Sequence, residues 1–298
     1  MANLRDIRNR ISSVNNTQQI TKAMKMVAAA KLRKAQARMT SMRPFAEKMK
    51  EVVSRLVAAS DSDNKLLRKP DEVERVLMIV VGSDKGLCGG FNNNLFKVVE
   101  YYISENLSDL NEAGKLDLIT IGKKSSAYFK KRGYKITDMH PGFFDDLNYE
   151  KTSDIMESAI EKFADETYDK VIIAYNEFKT VIAQNRIINQ VLPVDTESLK
   201  KDEVGDESLS TTDYLYEPDS DAILDEILPI HLIMQLWKAV LESNASEQGA
   251  RMAAMDNATE NAKELEEELT LKYNQARQSA ITTEISEIVS GAQALEES

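Results

Sequence analysis

The sequence predicts an α/β protein in which long N- and C-terminal helices pair as an antiparallel coiled coil, with an α/β domain inserted between them. Three observations carry this. Apolar residues recur every 3.5 positions from Leu4 to Leu56, short apolar runs alternate with helical periods between Arg75 and Val194, and no Pro follows Pro229. A length of 298 residues accommodates one large or two modest units, and 42% hydrophobic residues supply a core. Only 6% of residues are aromatic while 29% are charged, a profile of long polar-faced helices.

The first helix has the clearest register. With Leu4 at position a and Ile7 at d, the series continues through Ile11, Val14, Gln18, Thr21, Lys25, Ala28, Leu32, Ala35, Met39, Met42, Ala46, Met49, Val53 and Leu56. Thirteen of these sixteen are apolar, which is the signature of a coiled-coil seam. The exceptions Gln18, Thr21 and Lys25 are consecutive, so the seam loosens there. Pro44 predicts a kink, or a break near Arg43. A polar stretch, 60–74, follows as a linker.

Beyond it, 75–81 reads as a buried strand, 93–107 as a helix and 116–122 as a second strand. Helices are expected near 125–132 and 153–166, then strands at 170–178 and 180–194. This alternation predicts a largely parallel sheet. Residues 195–212 are acidic and polar, a surface loop. The last helix starts near Pro218 to Asp221, with acidic N-cap candidates, and Pro229 is expected to interrupt it once. Its seam runs Met234, Trp237, Leu241, then polar Asn244, Gln248 and Arg251, then Met255, Ala258, Ala262, Leu265 and Leu269. The expected division is therefore 1–59, 60–74, 75–212 including the loop, and 213–298.

Charge is segregated. Residues 1–50 hold twelve Lys or Arg against two acids, a net of +10 within a chain whose net is −11, which leaves −21 on the other 248 residues. A basic arm on an acidic remainder implies an acidic protein surface or a nucleic acid as partner. One Cys excludes an intramolecular disulfide and a Cys-rich metal site. No run of about 18 apolar residues occurs, so no membrane span is expected. The basic, amphipathic N-terminus imitates a mitochondrial transit peptide, but its apolar spacing continues into the following helix, so it reads as mature structure.

The segment Gly82 to Gly90 follows a strand and precedes a helix, where a phosphate loop would sit. It lacks both the P-loop Lys-Ser/Thr pair after the last Gly and the Gly-x-Gly-x-x-Gly spacing, so a structural turn is favoured. Cys88 has no nearby His and reads as a small buried residue; His140 and His231 have no metal-ligand spacing and are assigned no role. The basic helix is compatible with phosphate contacts as well as with an acidic protein sleeve. The polar breaks in the two seams either fix register or face a third surface.

Four blocks go beyond pattern. Ile20 to Ala35 (ITKAMKMVAAAKLRKA), Asp84 to Asn92 (DKGLCGGFN), Ser246 to Met255 (SEQGARMAAM) and Ile281 to Ala292 (ITTEISEIVSGA) strongly resemble the gamma subunits of F-type ATP synthases, in the family's order and across nearly the whole chain. The resemblance implies a Rossmann-like inserted domain and a central rotor of a proton-translocating ATP synthase, turning within three alpha and three beta subunits and coupled to a c-ring, with the epsilon subunit as a further partner. It implies no catalytic group, cofactor or metal in this chain, no nucleic-acid partner, and peripheral attachment at the cytoplasmic side of a bacterial inner membrane. It assigns beta-subunit contacts to Lys22, Met24, Lys25 and Arg251, and to Arg277, Gln278, Thr282 and Glu284 farther along the last helix. Two departures matter. The loop 195–212 lacks the cysteine pair of chloroplast members, which excludes thiol control of that type, and Lys25 stands where some relatives carry an acid. Other readings are an independent nucleotide-binding enzyme built on the Gly86 to Gly90 turn and a DNA-binding coiled coil.

Overall fold

The structure, a computed structural model, describes residues 4–59, 64–194, 217 and 219–296. The expected acidic loop 195–212 lies outside the described residues. Two compact units are present, one of residues 29–251 and one of residues 1–28 with 252–298. Two helices contribute to both: α1 (Leu4–Ala59) and, last in the chain, a helix spanning Ser220–Glu296.

The 29–251 unit is built on a five-stranded sheet. In chain order its elements are β1 (Val76–Val81), α2 (Phe91–Asn106), α3 (Ser108–Glu112), β2 (Leu116–Ile121), α4 (Lys123–Lys131), β3 (Ile136–His140), α5 (Tyr149–Ala164), β4 (Lys170–Phe178) and β5 (Gln184–Leu192). The Ser220–Glu296 helix is then α6. The strand order is β3-β2-β1-β4-β5. β1 runs parallel to both β2 and β4, while β5 returns antiparallel to β4.

β1, VLMIVV, is apolar at every position because both of its faces are covered. Leu77, Ile79 and Val81 enter a core shared with Val53, Leu56 and Val57 of α1, with α5, and with Leu224 to Val240 of α6. Val76, Met78 and Val80 pack against α2 and Phe129 of α4. The described part of the linker region holds a 3₁₀ turn, Lys65–Leu67, capped by Asn64, with Leu66 buried.

Several expectations shift. Neither proline breaks its helix: α1 runs through Pro44 and α6 through Pro229. A helical Pro withholds the N–H that would bond the carbonyl four residues earlier. Those carbonyls belong to Thr40 and Asp225, both exposed residues, so the lost bond is not that of a buried group. α5 starts at Tyr149 rather than near Ser153, because the Asn148 side chain accepts from the Lys151 N–H and caps it. β3 was not expected. It is a five-residue edge strand with three exposed residues, and so lacks an apolar run.

In the other unit, successive partners run in opposite directions along the two helices. Arg8 bonds Tyr273, Asn15 bonds Glu266, Thr21 accepts from Thr259, and Lys25 pairs with Asp256. The pairing is antiparallel. Within α1, all sixteen heptad positions are buried or half-buried, from Leu4 to Leu56. The α6 register holds as well, except that Leu265 is exposed.

Candidate functional site

In open α/β sheets, ligands bind beyond the carboxyl ends of the strands where the strand order reverses. Here that point lies between β1 and β4. It is filled by residues 242–251 of α6. The Ser243 hydroxyl donates to the carbonyl of Val81, the last residue of β1, at 3.3 Å. The Ser246 hydroxyl donates to the Asn176 carbonyl of β4 at 3.2 Å. The Phe178 N–H at the end of β4 donates to the Glu242 carboxylate at 3.0 Å, and Arg43 of α1 pairs with the same side chain. Gly249 allows close approach: a Cβ there would lie 3.2 Å from the Val181 carbonyl oxygen.

The glycine-rich turn closes over this stretch. The Arg251 guanidinium donates to the Lys85 and Gly86 carbonyls at 3.2 and 3.3 Å and to the Glu247 carboxylate at 2.5 Å. Both Glu247 and Arg251 are buried. Burial pushes the Glu247 carboxyl above the usual carboxylate range, outweighing the opposing pull of Arg251. On the far side of the turn, Asp84 accepts from the backbone N–H groups of Lys123, Gly142 and Phe144 at 2.9, 2.6 and 2.9 Å. Gly122, at φ +99°, lets the chain pass: a Cβ would sit 2.9 Å from the Ser83 carbonyl. Asn92 bonds Ser83 through both its amide oxygen and its nitrogen. Cys88 is buried, and burial raises its thiol pKa. The turn is structural, and the crevice a nucleotide would need holds a helix of the same chain.

The residues assigned to partner contacts fall into distinct settings. Lys22 is exposed, and Met24 is half-buried. Lys25 is half-buried and engaged with Asp256. Arg251 faces inward, as described. Arg277, Gln278, Thr282 and Glu284 are all exposed on α6. Around them Leu271, Ile281, Ile285, Ile288 and Val289 are exposed too, Ile288 to 71%. His231 is buried beside Gln235, and burial, with Lys50 nearby, lowers its pKa to about 4. Sequence reasoning missed Asp84, Glu242, Ser243, Ser246 and Glu247 as the groups that join turn, strands and helix. The signal available was the polarity of 242–248 within a helix otherwise patterned for burial.

Comparison with known proteins agrees with this architecture. The family model described as ATP synthase matches residues 3–295. The ATP synthase gamma chain of Chlorobaculum tepidum is 48% identical over 298 residues, covering 100% of both chains. That of Prosthecochloris aestuarii is 49% identical over 297 residues, covering 99% of each. Among solved structures, the central stalk and c-ring of the Tetrahymena thermophila mitochondrial ATP synthase includes a chain with TM-score 0.58 and 27% identity, over 80% of this chain and 99% of that one. The Euglena gracilis mitochondrial ATP synthase rotor includes one with TM-score 0.67 and 20% identity, over 93% and 98%. From its full-length match to both the family model and these bacterial relatives, the chain belongs to the ATP synthase family, among the gamma chains.

Proposed function

We propose that this chain is the central stalk of a proton-translocating F-type ATP synthase, turning within a ring of three alpha and three beta subunits and coupling proton flow through the c-ring to ATP synthesis or hydrolysis at the beta subunits. The observation that carries this is the end of α6. Residues 281–292 are exposed on every side, and their apolar side chains have no partner among the described residues. Ile281, Ile285, Ile288 and Val289 recur at i, i+4, i+7 and i+8 and so form one exposed apolar stripe; a stripe of this kind marks a contact surface for another molecule, and a ring of subunits supplies one. The chain itself contributes no catalytic group; it acts by contacting three chemically identical subunits differently, since only differential contact shifts a conformational equilibrium.

In this reading 1–59 and 213–298 form the shaft and 75–212 the inserted domain. The beta-facing contacts are Lys22, Met24 and Lys25 and, higher on the shaft, Arg277, Gln278, Thr282 and Glu284, with Arg251 acting from within. The remaining partners are the epsilon subunit and the c-ring. No helix among the described residues is long and apolar enough to cross a membrane, so attachment to the cytoplasmic side of the inner membrane runs through the complex. The test is ATP hydrolysis by purified alpha and beta subunits with the full chain, without it, and with a chain truncated after Lys272. A cooperative ATPase that needs the chain and weakens on truncation is expected. Hydrolysis indifferent to the chain overturns the proposal.

A further inference from the structure

The Ser243 and Ser246 contacts that seat α6 on the strand ends are single neutral hydroxyl bonds. The contact that reaches over the helix is of another kind. Arg251 brings one guanidinium nitrogen, Nη2, to two successive carbonyls of the 82–90 turn and to a carboxylate one helical turn earlier. Charge-assisted bonds that converge from one nitrogen on three acceptors are stronger than the neutral hydroxyl bonds and hold the guanidinium in place. The Lys85 carbonyl it grips also accepts from Ser83 and Cys88, so it is the hub of the turn. Through Asp84 the same turn is fastened to the start of α4 and to the segment after β3. The turn is thus a strap, with three elements of the domain on one side and α6 on the other.

We propose that Glu247 and Arg251 are a positioning pair that locks this strap onto residues 242–251 of α6, so that this helical stretch and the sheet beneath it turn as one body. The inference rests on the coupling role proposed above. Glu247 holds the guanidinium in line with the two carbonyls; Arg251 makes the grip. Torque applied to the helix is then carried by the strap into β1, α4 and the β3–α5 segment.

The test uses complete complexes reconstituted in sealed vesicles, with protons pumped per ATP hydrolysed measured at equal complex content. Glu247→Gln keeps the volume and removes the charge; Arg251→Lys keeps the charge and removes the planar guanidinium. In both, hydrolysis is expected to persist while pumping per ATP falls severalfold, and the double variant is expected to be no worse than either single, as for two groups acting through one contact. Pumping per ATP equal to wild type in both singles overturns the pair. A fall in Arg251→Lys alone also overturns it, because Arg251 would then act without Glu247. Failure of the wild-type complex to couple overturns the function reading instead, which separates the two. Where a variant does not assemble, amide hydrogen exchange on the purified full-length chain decides. The Ser83 and Phe91 N–H groups, bonded to Asn92 and Cys88, are expected to exchange severalfold faster in either variant, and unchanged exchange counts against the strap.

Discussion

Two stretches of α6 invert the usual rule of burial. Residues 239–249 are buried at every position but Asn244, yet they include Glu242, Ser243, Ser246, Glu247 and Gln248. Residues 281–292 are exposed throughout, yet they include Ile281, Ile285, Ile288 and Val289. A buried polar group and an exposed apolar patch are each the informative exception. In the first stretch Glu242, Ser243 and Ser246 are spent on strand ends and Glu247 on Arg251, which holds the 82–90 turn, so burying them costs little. In the second, nothing of this chain among the described residues covers the apolar groups. One region is finished by its own fold, and the other leaves its apolar stripe uncovered among the described residues.

Mutations should separate the two. The largest loss of stability is expected in the finished region. Leu236→Ala empties a fully buried site of α6 and should lower the unfolding free energy of the isolated chain by about 2–5 kcal/mol, read by denaturant titration. Next comes pH. His231 is neutral when folded, with its pKa near 4 against an ordinary 6.5. Below pH 6.5 the unfolded chain therefore binds the extra proton, and stability falls as pH drops from 6.5 toward 4, by about 1.4 kcal/mol per unit from this group. His231→Gln should remove that slope, and an identical slope in the variant would refute the assignment.

Between these extremes lies the helix pair of the 1–28 and 252–298 unit. Thr259→Val removes the hydroxyl that bonds the buried Thr21 and should cost about 1 kcal/mol. Lys25→Ala breaks an ion pair whose partner Asp256 is exposed, and should cost about 0–1 kcal/mol, less at high salt. The smallest effect on the isolated chain belongs to the exposed stretch. Ile285→Asp should change its stability by less than about 0.5 kcal/mol, yet weaken activation of the alpha and beta ATPase. A stability loss as large as that of Leu236→Ala would show that the stretch is packed within the chain and would collapse the contrast.

Much of this was legible before any coordinates. The α1 seam held at all sixteen positions because a 3.5-residue repeat depends only on local helical geometry. β1, β2 and β4 were visible as apolar runs because strands covered on both faces need no alternation. β3 was not visible, since an exposed edge strand of five residues carries no such run. The break at Pro44 and the interruption at Pro229 did not occur, because a helical Pro withholds one hydrogen bond and both orphaned carbonyls belong to exposed residues.

By itself, the sequence determined the terminal helices, the apolar strands and their order, the family and the absence of phosphate-loop spacing, all of which follow from neighbours along the chain. Only the tertiary structure decided what the polar break in α6 is for. The sequence left register and partner contact open for Asn244, Gln248 and Arg251, and the fold turned Arg251 onto carbonyls 165 and 166 positions away. A contact that distant has no periodic trace, because it is specified by how the strand ends and the helix meet in space and by the need to satisfy each buried charge once they do.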